Sequence, residues 1–299
     1  MPHDHSHHHA PAGDRGIALA VAVNVGLSLA QILGGLVAGS VALIADAVHN
    51  LSDAAALALA YAARRIARRP ADHRMTFGYG RAELIAALIN YTALILLSLW
   101  LAAEAALRLI DPPPVAGWPV LALAGLALVV DLATAALTFR QARHSINIRA
   151  AFLHNLGDAA TSLAVMLAGA LILLYDWRLV DPLATLAISA WMLWLSLTGI
   201  GPAIRILMLG APPHIAAAEV LERIAAVDGV AEVHHLHLWQ IDEHEISLEA
   251  HLVVGPEAAG VSAAVQAMLA RDFRIRHATF ALETAEARCI GAPPIGHSA

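Results

Sequence analysis

Six long apolar runs alternate with short polar segments over the first two thirds of the chain. Each run is close to the roughly 20 residues that an α-helix needs to cross a bilayer. The second run follows the first after only Ala38–Ser40, and the proline-rich segment Asp111–Pro119 separates the third from the fourth, because proline cannot continue a helix. The pattern predicts six transmembrane helices, at about Gly16–Val37, Val41–Arg64, Ala82–Leu107, Gly117–Phe139, Ile148–Leu174 and Leu179–Ile206.

The pattern changes after Pro212–Pro213. Helical spacing over Ala216–Val227 is followed by two alternating stretches, "VAEVHHLHLWQI" and "EISLEAHLVV", then by a second helical stretch at Ala258–Asp272 and the short alternation "HATFALE". This order predicts a small αββαβ domain of the α+β class. We therefore expect a His-rich tail at 1–15, a six-helix membrane domain at 16–208, the αββαβ domain at 209–290 and a disordered C-terminus at 291–299.

The composition agrees with a chain that lies in a lipid bilayer. It is 59% hydrophobic and 14% charged, whereas soluble domains carry about 25% charged residues. The formal charge is −6 and no basic patch is present, so no nucleic acid partner is expected. Cys289 is the single cysteine, which excludes a disulfide within the chain and a cluster of thiolate ligands.

Every basic residue is an arginine, and the arginines are distributed unevenly between the two sets of loops. One set has only Arg108 and Arg178. The other set has Arg64, Arg65, Arg68, Arg69, Arg74, Arg81, Arg140, Arg143 and Arg149. Positively charged loops stay in the cytoplasm, so both termini are predicted to be cytoplasmic. The N-terminal segment carries five histidines, and a tract of this kind can bind metal without a fold.

A polar heptad occurs twice inside the apolar runs, as "HNLSDAA" from His49 and as "HNLGDAA" from His154. Residues i and i+4 share one face of a helix, so His49 lies beside Asp53 and His154 beside Asp158. If the two faces meet, two imidazoles and two carboxylates surround one point, which suits a tetrahedral ion such as Zn²⁺. These ligands disfavour Cu⁺, Mg²⁺ and Ca²⁺ but do not separate Zn²⁺ from Co²⁺, Cd²⁺, Fe²⁺ or Mn²⁺.

The alternative is that these polar groups only hold helices together. Hydrogen bonds between membrane helices contribute about 0.6 kcal/mol on average, whereas a charge at mid-bilayer costs about 2.5–3.5 kcal/mol. Neutral asparagine would serve for packing, so the repeated carboxylates favour a metal site. The roles of two other carboxylates stay open. Asp46 is a helix-end residue or a residue that supports the site, and Asp131 is a proton relay or a supporting residue.

Five stretches carry a family resemblance: "IADAVHNLSDA", "FGYGRAE", "NIRAAFLHNLGDA", "DPLATLAIS" and "VHHLHLWQ". With them the chain resembles the cation diffusion facilitator family over nearly its whole length. The resemblance implies a homodimeric antiporter of the cell's inner (plasma) membrane that exports a divalent metal, Zn²⁺ first, in exchange for protons. It also implies a metallochaperone-like, ferredoxin-like cytoplasmic domain, and a transport site formed by His49, Asp53, His154 and Asp158.

For the cytoplasmic domain, the resemblance implies bound Zn²⁺ with His234, His251 and Glu283 as ligands and His277 nearby. Alanines at 264 and 281 stand where binuclear members have further ligands, so one metal per domain is expected. The alternative is a set of surface histidines at a dimer contact.

Three smaller expectations concern neighbouring residues. Strand alternation predicts His235 and His237 on one face and His234 on the other. Cys289 is expected to be inert. A further family site in the loop after the second span is expected to be missing or altered, because only Asp72 and the adjacent His73 remain there.

Histidine titrates near pH 6.5 and binds metal only when neutral, so protons and metal compete for the same lone pairs. This competition supports the hypothesis of metal/proton exchange. An intramembrane metalloprotease would need a helical HExxH motif, and the one "HE" pair, His244–Glu245, lies in a polar turn. A membrane metal sensor without transport stays open, as does an exporter that prefers Cd²⁺, Co²⁺ or Fe²⁺.

Overall fold

The first part of the chain forms six long helices. The computed structural model describes residues 13–139, 146–255 and 260–297, without the side chains of 13–21, 137, 138, 146–151 and 154. The histidines of the predicted tail, Arg140 and Arg143 thus lie outside the described residues. The helices are α1 (Gly13–Ala38), α2 (Val41–Ala67), α3 (Ala82–Ile110), α4 (Gly117–Phe139), α5 (Ile146–Tyr175) and α6 (Val180–Leu207).

Among the described residues, α2 to α6 are long and apolar enough to cross a membrane, by length and composition. The described apolar part of α1, Ala22–Ala38, is shorter. The predicted helical membrane region is confirmed, and the observed helix ends lie within three residues of the predicted ones.

The chain divides into two compact units, of which the first comprises the residues up to Leu59 together with Asn90–Thr198. In this unit α4 packs against α5 and α1. A Cβ atom added at Gly169 of α5 would lie 2.7 Å from the backbone nitrogen of Leu121 in α4. Glycine at this position therefore allows the two backbones to approach closely, as small residues do between membrane helices.

The N-terminus of α2 is capped by its own sequence and by α6. Ser40 accepts a hydrogen bond from the Leu43 N–H at 3.1 Å, as an N-cap residue does. Asp181 of α6 accepts hydrogen bonds from the Ser40 hydroxyl and from the Val41 N–H, the latter at 2.9 Å. Ser40 and Asp181 are almost fully buried. Burial of a carboxylate is costly, and here the free N–H groups and the dipole at the N-terminus of α2 offset that cost.

We predict that Asp181→Ala lowers the free energy of unfolding by about 1–3 kcal/mol, because it removes a cap and leaves buried donors without an acceptor. Thermal unfolding of the purified chain in detergent measures the change. Arg178→Ala, which breaks an exposed ion pair with Asp176, is the control and should leave the melting temperature unchanged. Equal effects of the two variants would contradict the capping role.

The second unit comprises Ala60–Ile89 and Gly199–Ala299. It contains α7 (Ala217–Ala225), β1 (Val230–Gln240), β2 (Ile246–Val254), α8 (Val261–Asp272) and β3 (His277–Glu283). The sheet order is β1-β2-β3, with β1 antiparallel to β2 and β2 parallel to β3 through α8. Both helices pack on one apolar core that includes Ile224, Leu236, Leu252 and Leu269. The predicted αββαβ domain is confirmed.

Part of the C-terminal segment, for which disorder was predicted at 291–299, is hydrogen-bonded to the edge of the sheet. The backbone N–H groups of His235 and Leu236 donate to the carbonyls of Pro293 and Pro294 at 2.9 and 3.1 Å, and the Gly296 N–H donates to the Leu236 carbonyl at 3.0 Å. The physical reason is that β1 is an edge strand: its outer backbone groups have no partner in the three-stranded sheet and pair with this segment instead.

An ion-pair cluster joins α7 to the end of α8. Hydrogen bonds from Arg271 and Arg223 hold the pKa of Asp272 at about 2. Because the pKa in the folded state lies below the ordinary aspartate pKa of 3.8, the cluster stabilises the fold above that value, and this stabilisation is lost as the pH falls toward 2.

We predict that Asp272→Asn lowers the melting temperature near neutral pH and that the difference from the unmodified chain shrinks as the pH falls from about 4 toward 2. Calorimetric scans of both proteins across this pH range test the prediction. A difference independent of pH would show that the effect of the substitution is not electrostatic.

Candidate metal centres

The first candidate centre lies between α2 and α5 in the helical unit. His49 Nε2 lies 3.5 Å from Asp158 Oδ1 and 3.9 Å from Asp53 Oδ2. One ligand atom from each of the three residues lies within 4.8 Å of the others. The helical i, i+4 spacing places Asp53 next to His49, and the packing of α5 supplies Asp158. The structure thus brings together three of the four residues that the repeated heptad singles out.

His154 belongs to α5, one helical turn before Asp158. Its side chain lies outside the described residues. Its role as the fourth ligand stays a prediction.

These side chains face a cavity of about 470 Å³. Residues of α3 and α6, among them Tyr91 and Trp191, complete its walls. Ionisable residues within membrane helices usually face a cavity or a protein interior, and they mark ion pathways. The cavity is large enough for a cation with part of its hydration shell, so the two carboxylates and the imidazole could replace water ligands one at a time.

Asp46 supports the centre from one turn before His49. It is fully buried and accepts hydrogen bonds from Gln31 of α1 at 2.9 Å and from Thr161 of α5 at 3.1 Å. Ser162 of α5 lies 3.2 Å from Asp46 and 3.1 Å from Asp131 of α4. A hydroxyl has a single proton, so Ser162 donates to one carboxylate at a time.

This network ties α1, α4 and α5 to the part of α2 that carries His49. Sequence analysis singled out Asp46 and Asp131 but missed Gln31 and Ser162. A glutamine in an apolar helix was the available signal, since such a side chain needs a buried partner.

The second candidate centre lies in the αββαβ domain and consists of His234, His251, Glu283 and Cys289. Because it is the first of two ligand clusters in that domain, we name it the first cytoplasmic cluster. Glu283 carboxylate oxygens lie 3.2 Å from His234 Nε2 and 2.6 Å from His251 Nδ1. Cys289 Sγ lies 3.2 Å from Glu283 Oε1 and 3.6 Å from His251 Nδ1. The register of the sheet places His234 opposite His251 and Val253 opposite Glu283, which brings the three predicted residues together.

Opposing effects act on the protons of this cluster. Burial raises the pKa of Glu283, but hydrogen bonds from the Cys289 amide and thiol and from His251 outweigh it and lower the pKa to about 2. The same thiol–carboxylate hydrogen bond raises the pKa of Cys289. A metal bound here would therefore have to displace the thiol proton.

The donor set fits zinc. His234 is 2% exposed, and neither of its ring nitrogens makes a hydrogen bond within the described part of the chain. A buried polar atom without a hydrogen bond is costly, and a bound metal would satisfy one of these nitrogens. Two imidazoles, a carboxylate and a thiol are all zinc ligands. Cys289, expected to be inert, belongs to the cluster because the chain turns back after β3.

A third group of potential ligands consists of His235, His237 and His297, called here the histidine trio. His235 and His237 lie together as predicted, with ring centroids 5.1 Å apart, but the predicted alternation does not hold between them and His234. A β-bulge between His234 and His237 inserts an extra residue, and His235 has a φ of 55°. The trio's nearest atoms are His235 Nε2 and His297 Nδ1, 2.9 Å apart. His277, expected near the first cytoplasmic cluster, instead packs edge-on against Phe77.

Asp72 organises the loop after α2. Its carboxylate accepts hydrogen bonds from the Arg74 and Met75 amides at 2.8 and 2.9 Å and from the Tyr79 hydroxyl at 2.8 Å. These hydrogen bonds lower the pKa of Asp72, and the one from Tyr79 has the largest effect. Within the described ranges, neither Asp72 nor His73 belongs to a group of three potential metal ligands.

A membrane-spanning helical unit with a carboxylate–imidazole cluster, followed by a small domain with further ligand clusters, is typical of a membrane metal transporter. Residues 17–208 match the family model of the cation efflux transmembrane domain, and residues 212–284 match that of the cation efflux protein, cytoplasmic domain. The chain therefore belongs to the cation efflux, or cation diffusion facilitator, family of integral membrane proteins.

Several relatives match over nearly the whole chain. The metal cation efflux system protein CzcD of Cupriavidus metallidurans is 35% identical, over 94% of this chain and 90% of the relative. The cadmium, cobalt and zinc/H⁺-K⁺ antiporter of Bacillus velezensis is 33% identical, over 94% and 92%. The zinc transporter ZitB of Escherichia coli is 32% identical, over 95% and 93%.

Among solved structures, the metal-bound C-terminal domain of CzcD from Cupriavidus metallidurans aligns with 33% sequence identity and a TM-score of 0.22. The alignment covers 23% of this chain and 99% of that domain.

We predict that Co²⁺ bound to the first cytoplasmic cluster shows a thiolate-to-cobalt charge-transfer band in the near ultraviolet, because Cys289 Sγ lies among the ligands. Cys289→Ser should remove the band, while His214→Ala, an exposed histidine outside the clusters, should keep it. Absorption spectra of the full-length chain in detergent test this. A spectrum without the band in the unmodified chain would place Cys289 outside the metal site.

Proposed function

We propose that the protein exports divalent cations, Zn²⁺ foremost, from the cytoplasm in exchange for protons. The observation that carries this proposal is the meeting of His49 and Asp53 of α2 with Asp158 of α5 at one cavity inside the helical unit. His154 completes the proposed transport site. In this proposal, residues 16–208 form the membrane domain and residues 209–290 form the cytoplasmic domain. The protein lies in the inner (plasma) membrane of the cell, with both termini in the cytoplasm.

The charges of the site support a cation as cargo. Two carboxylates close to each other repel, and a divalent cation or protons would relieve the repulsion. Oxygen and imidazole nitrogen donors without sulfur suit Zn²⁺, and Co²⁺ or Cd²⁺ accept similar ligands. The relatives' names agree, since they include zinc transporters and a cadmium, cobalt and zinc antiporter.

The exchange with protons follows from the same ligands. Imidazole must lose its proton before it binds metal, so the two cargoes exclude each other at His49. A site that opens to each membrane face in turn would release metal where protons bind. Ser162, which lies within hydrogen-bond distance of both Asp46 and Asp131, offers a route for protons between two buried carboxylates beside the site.

The protein is proposed to act as a homodimer. The matched cytoplasmic-domain model is a dimer model by its name, and the resemblance to the family implies the same assembly. The first cytoplasmic cluster is proposed to bind Zn²⁺ as a resident ion rather than as cargo, because its ligands come from three strands and a loop of one folded domain.

The test is zinc uptake into proteoliposomes with an acidic interior, with a zinc indicator and a pH indicator in the lumen. We predict uptake with a matching rise in lumenal pH. Asp53→Ala and Asp158→Ala should each reduce uptake at least about 10–100-fold, since even the loss of an outer partner of a metal ligand costs that much.

Glu104→Gln is the matched control. It changes a carboxyl group on α3 that pairs with Arg108, away from the cavity-lining residues, and it should transport like the unmodified chain. If Asp53→Ala and Asp158→Ala both transported normally, the heptads would be packing elements. Zinc binding without uptake by the unmodified chain would instead identify a sensor, and zinc uptake without a change in lumenal pH would exclude proton exchange.

A further inference from the structure

The histidine trio, His235, His237 and His297, lies outside both candidate centres assigned above. One ring nitrogen of each lies within 4.8 Å of the others. The ring centroids of His237 and His297 are 4.4 Å apart, and those of His235 and His297 are 4.8 Å apart. Three imidazoles therefore converge on one point at the edge of the cytoplasmic sheet.

The backbone is shaped to produce this convergence. The β-bulge between His234 and His237 places His235 at a φ of 55°, a conformation that residues with a Cβ rarely adopt. Such positions persist where the surroundings hold them, and they occur often at functional sites. The bulge also turns the His235 N–H toward the Pro293 carbonyl, and this contact brings the segment with His297 alongside β1.

Hydrogen bonding within the trio does not use all of its nitrogens. His235 and His297 share one contact at 2.9 Å. The Nε2 atom of His237 is buried and has no hydrogen-bond partner among the described residues.

We propose that His235, His237 and His297 form a second metal site of the cytoplasmic domain, selective for divalent cations that prefer imidazole, such as Zn²⁺. Three histidines leave a fourth position for water, a common arrangement around zinc. The proposal stands on the cytoplasmic unit alone and does not depend on transport.

The trio lies next to the first cytoplasmic cluster. The ring of His235 stacks on that of His251 with centroids 5.0 Å apart. In this proposal the domain holds two metal ions side by side, whereas sequence analysis expected one, because alanines occupy positions 264 and 281, where binuclear family members have further ligands. The C-terminal segment replaces those ligands with His297.

A metal in the trio would also fasten this segment to β1. Without metal, backbone hydrogen bonds and the contact between His235 and His297 hold residues 293–297. A metal ion bridging His297 to the two strand histidines adds coordinate bonds to these contacts, so occupancy of the site should slow local opening of the segment.

The first experiment counts bound zinc by equilibrium dialysis of the full-length chain in detergent. Every protein carries alanine at the N-terminal histidines, to remove their contribution: His3, His5, His7, His8 and His9. His297→Ala and His235→Asn should each lose one bound zinc per chain. Asparagine is chosen at 235 because it tolerates a positive φ, and the exposed His214→Ala is the control that should lose none.

The Co²⁺ spectrum shows which site is lost. Both variants should keep the thiolate band of the first cytoplasmic cluster while they lose one equivalent of metal. An unchanged zinc count in both variants would overturn the proposal. So would loss of the thiolate band together with the metal, because it would show a single shared site.

Hydrogen exchange gives a second, independent readout. At a zinc concentration about 100 times the Kd, exchange of the Gly296 amide should slow by about 100-fold in the unmodified chain. It should not slow in His297→Ala. Exchange that responds equally to zinc in both proteins would overturn the fastening of the segment by this site.

Discussion

The cost of placing carboxylates inside a membrane-spanning helical unit is the constraint on which the rest of the structure depends. Each buried carboxylate here has specific partners from another helix. Asp181 of α6 accepts hydrogen bonds from the N-terminus of α2, and Asp46 accepts hydrogen bonds from side chains of α1 and α5. Asp158 of α5 lies beside His49 of α2. Each partnership fixes one helix against another, so the polar groups that would destabilise a single span determine how the spans pack.

The same constraint explains the position of the candidate transport site. The chain concentrates two carboxylates and an imidazole at one cavity, where water or a cation can solvate them. The surrounding core consists of small and branched apolar side chains such as Ala45, Val120 and Val165. In the proposed function, protonation of these ligands would weaken the binding of the cation and so allow its release.

The helices, the αββαβ order and the pairing of His49 with Asp53 could be predicted from the sequence, because all of them depend on local periodicity. The contacts that decide the packing depend on tertiary structure. Ser40 and Asp181 are separated by 141 positions, and nothing local pairs them. The bulge at His235 could not be predicted because strand alternation assumes a regular ladder. Cys289 joined a cluster only because the chain after β3 turns back, a path that periodicity does not encode.

The cap on α2 has a mechanical consequence. A helix held at its first turn by a carboxylate from α6 can move most easily by pivoting about that turn. With a rise of about 1.5 Å per residue, His49 lies about 13 Å from Ser40 and the last residue of α2 lies about 40 Å away. A pivot of about 10° would shift the histidine by about 2 Å and the far end of the helix by about 7 Å. The anchored end would thus act as a fulcrum: the far end of α2 would swing about three times as far as His49, whose shift would stay shorter than a hydrogen bond.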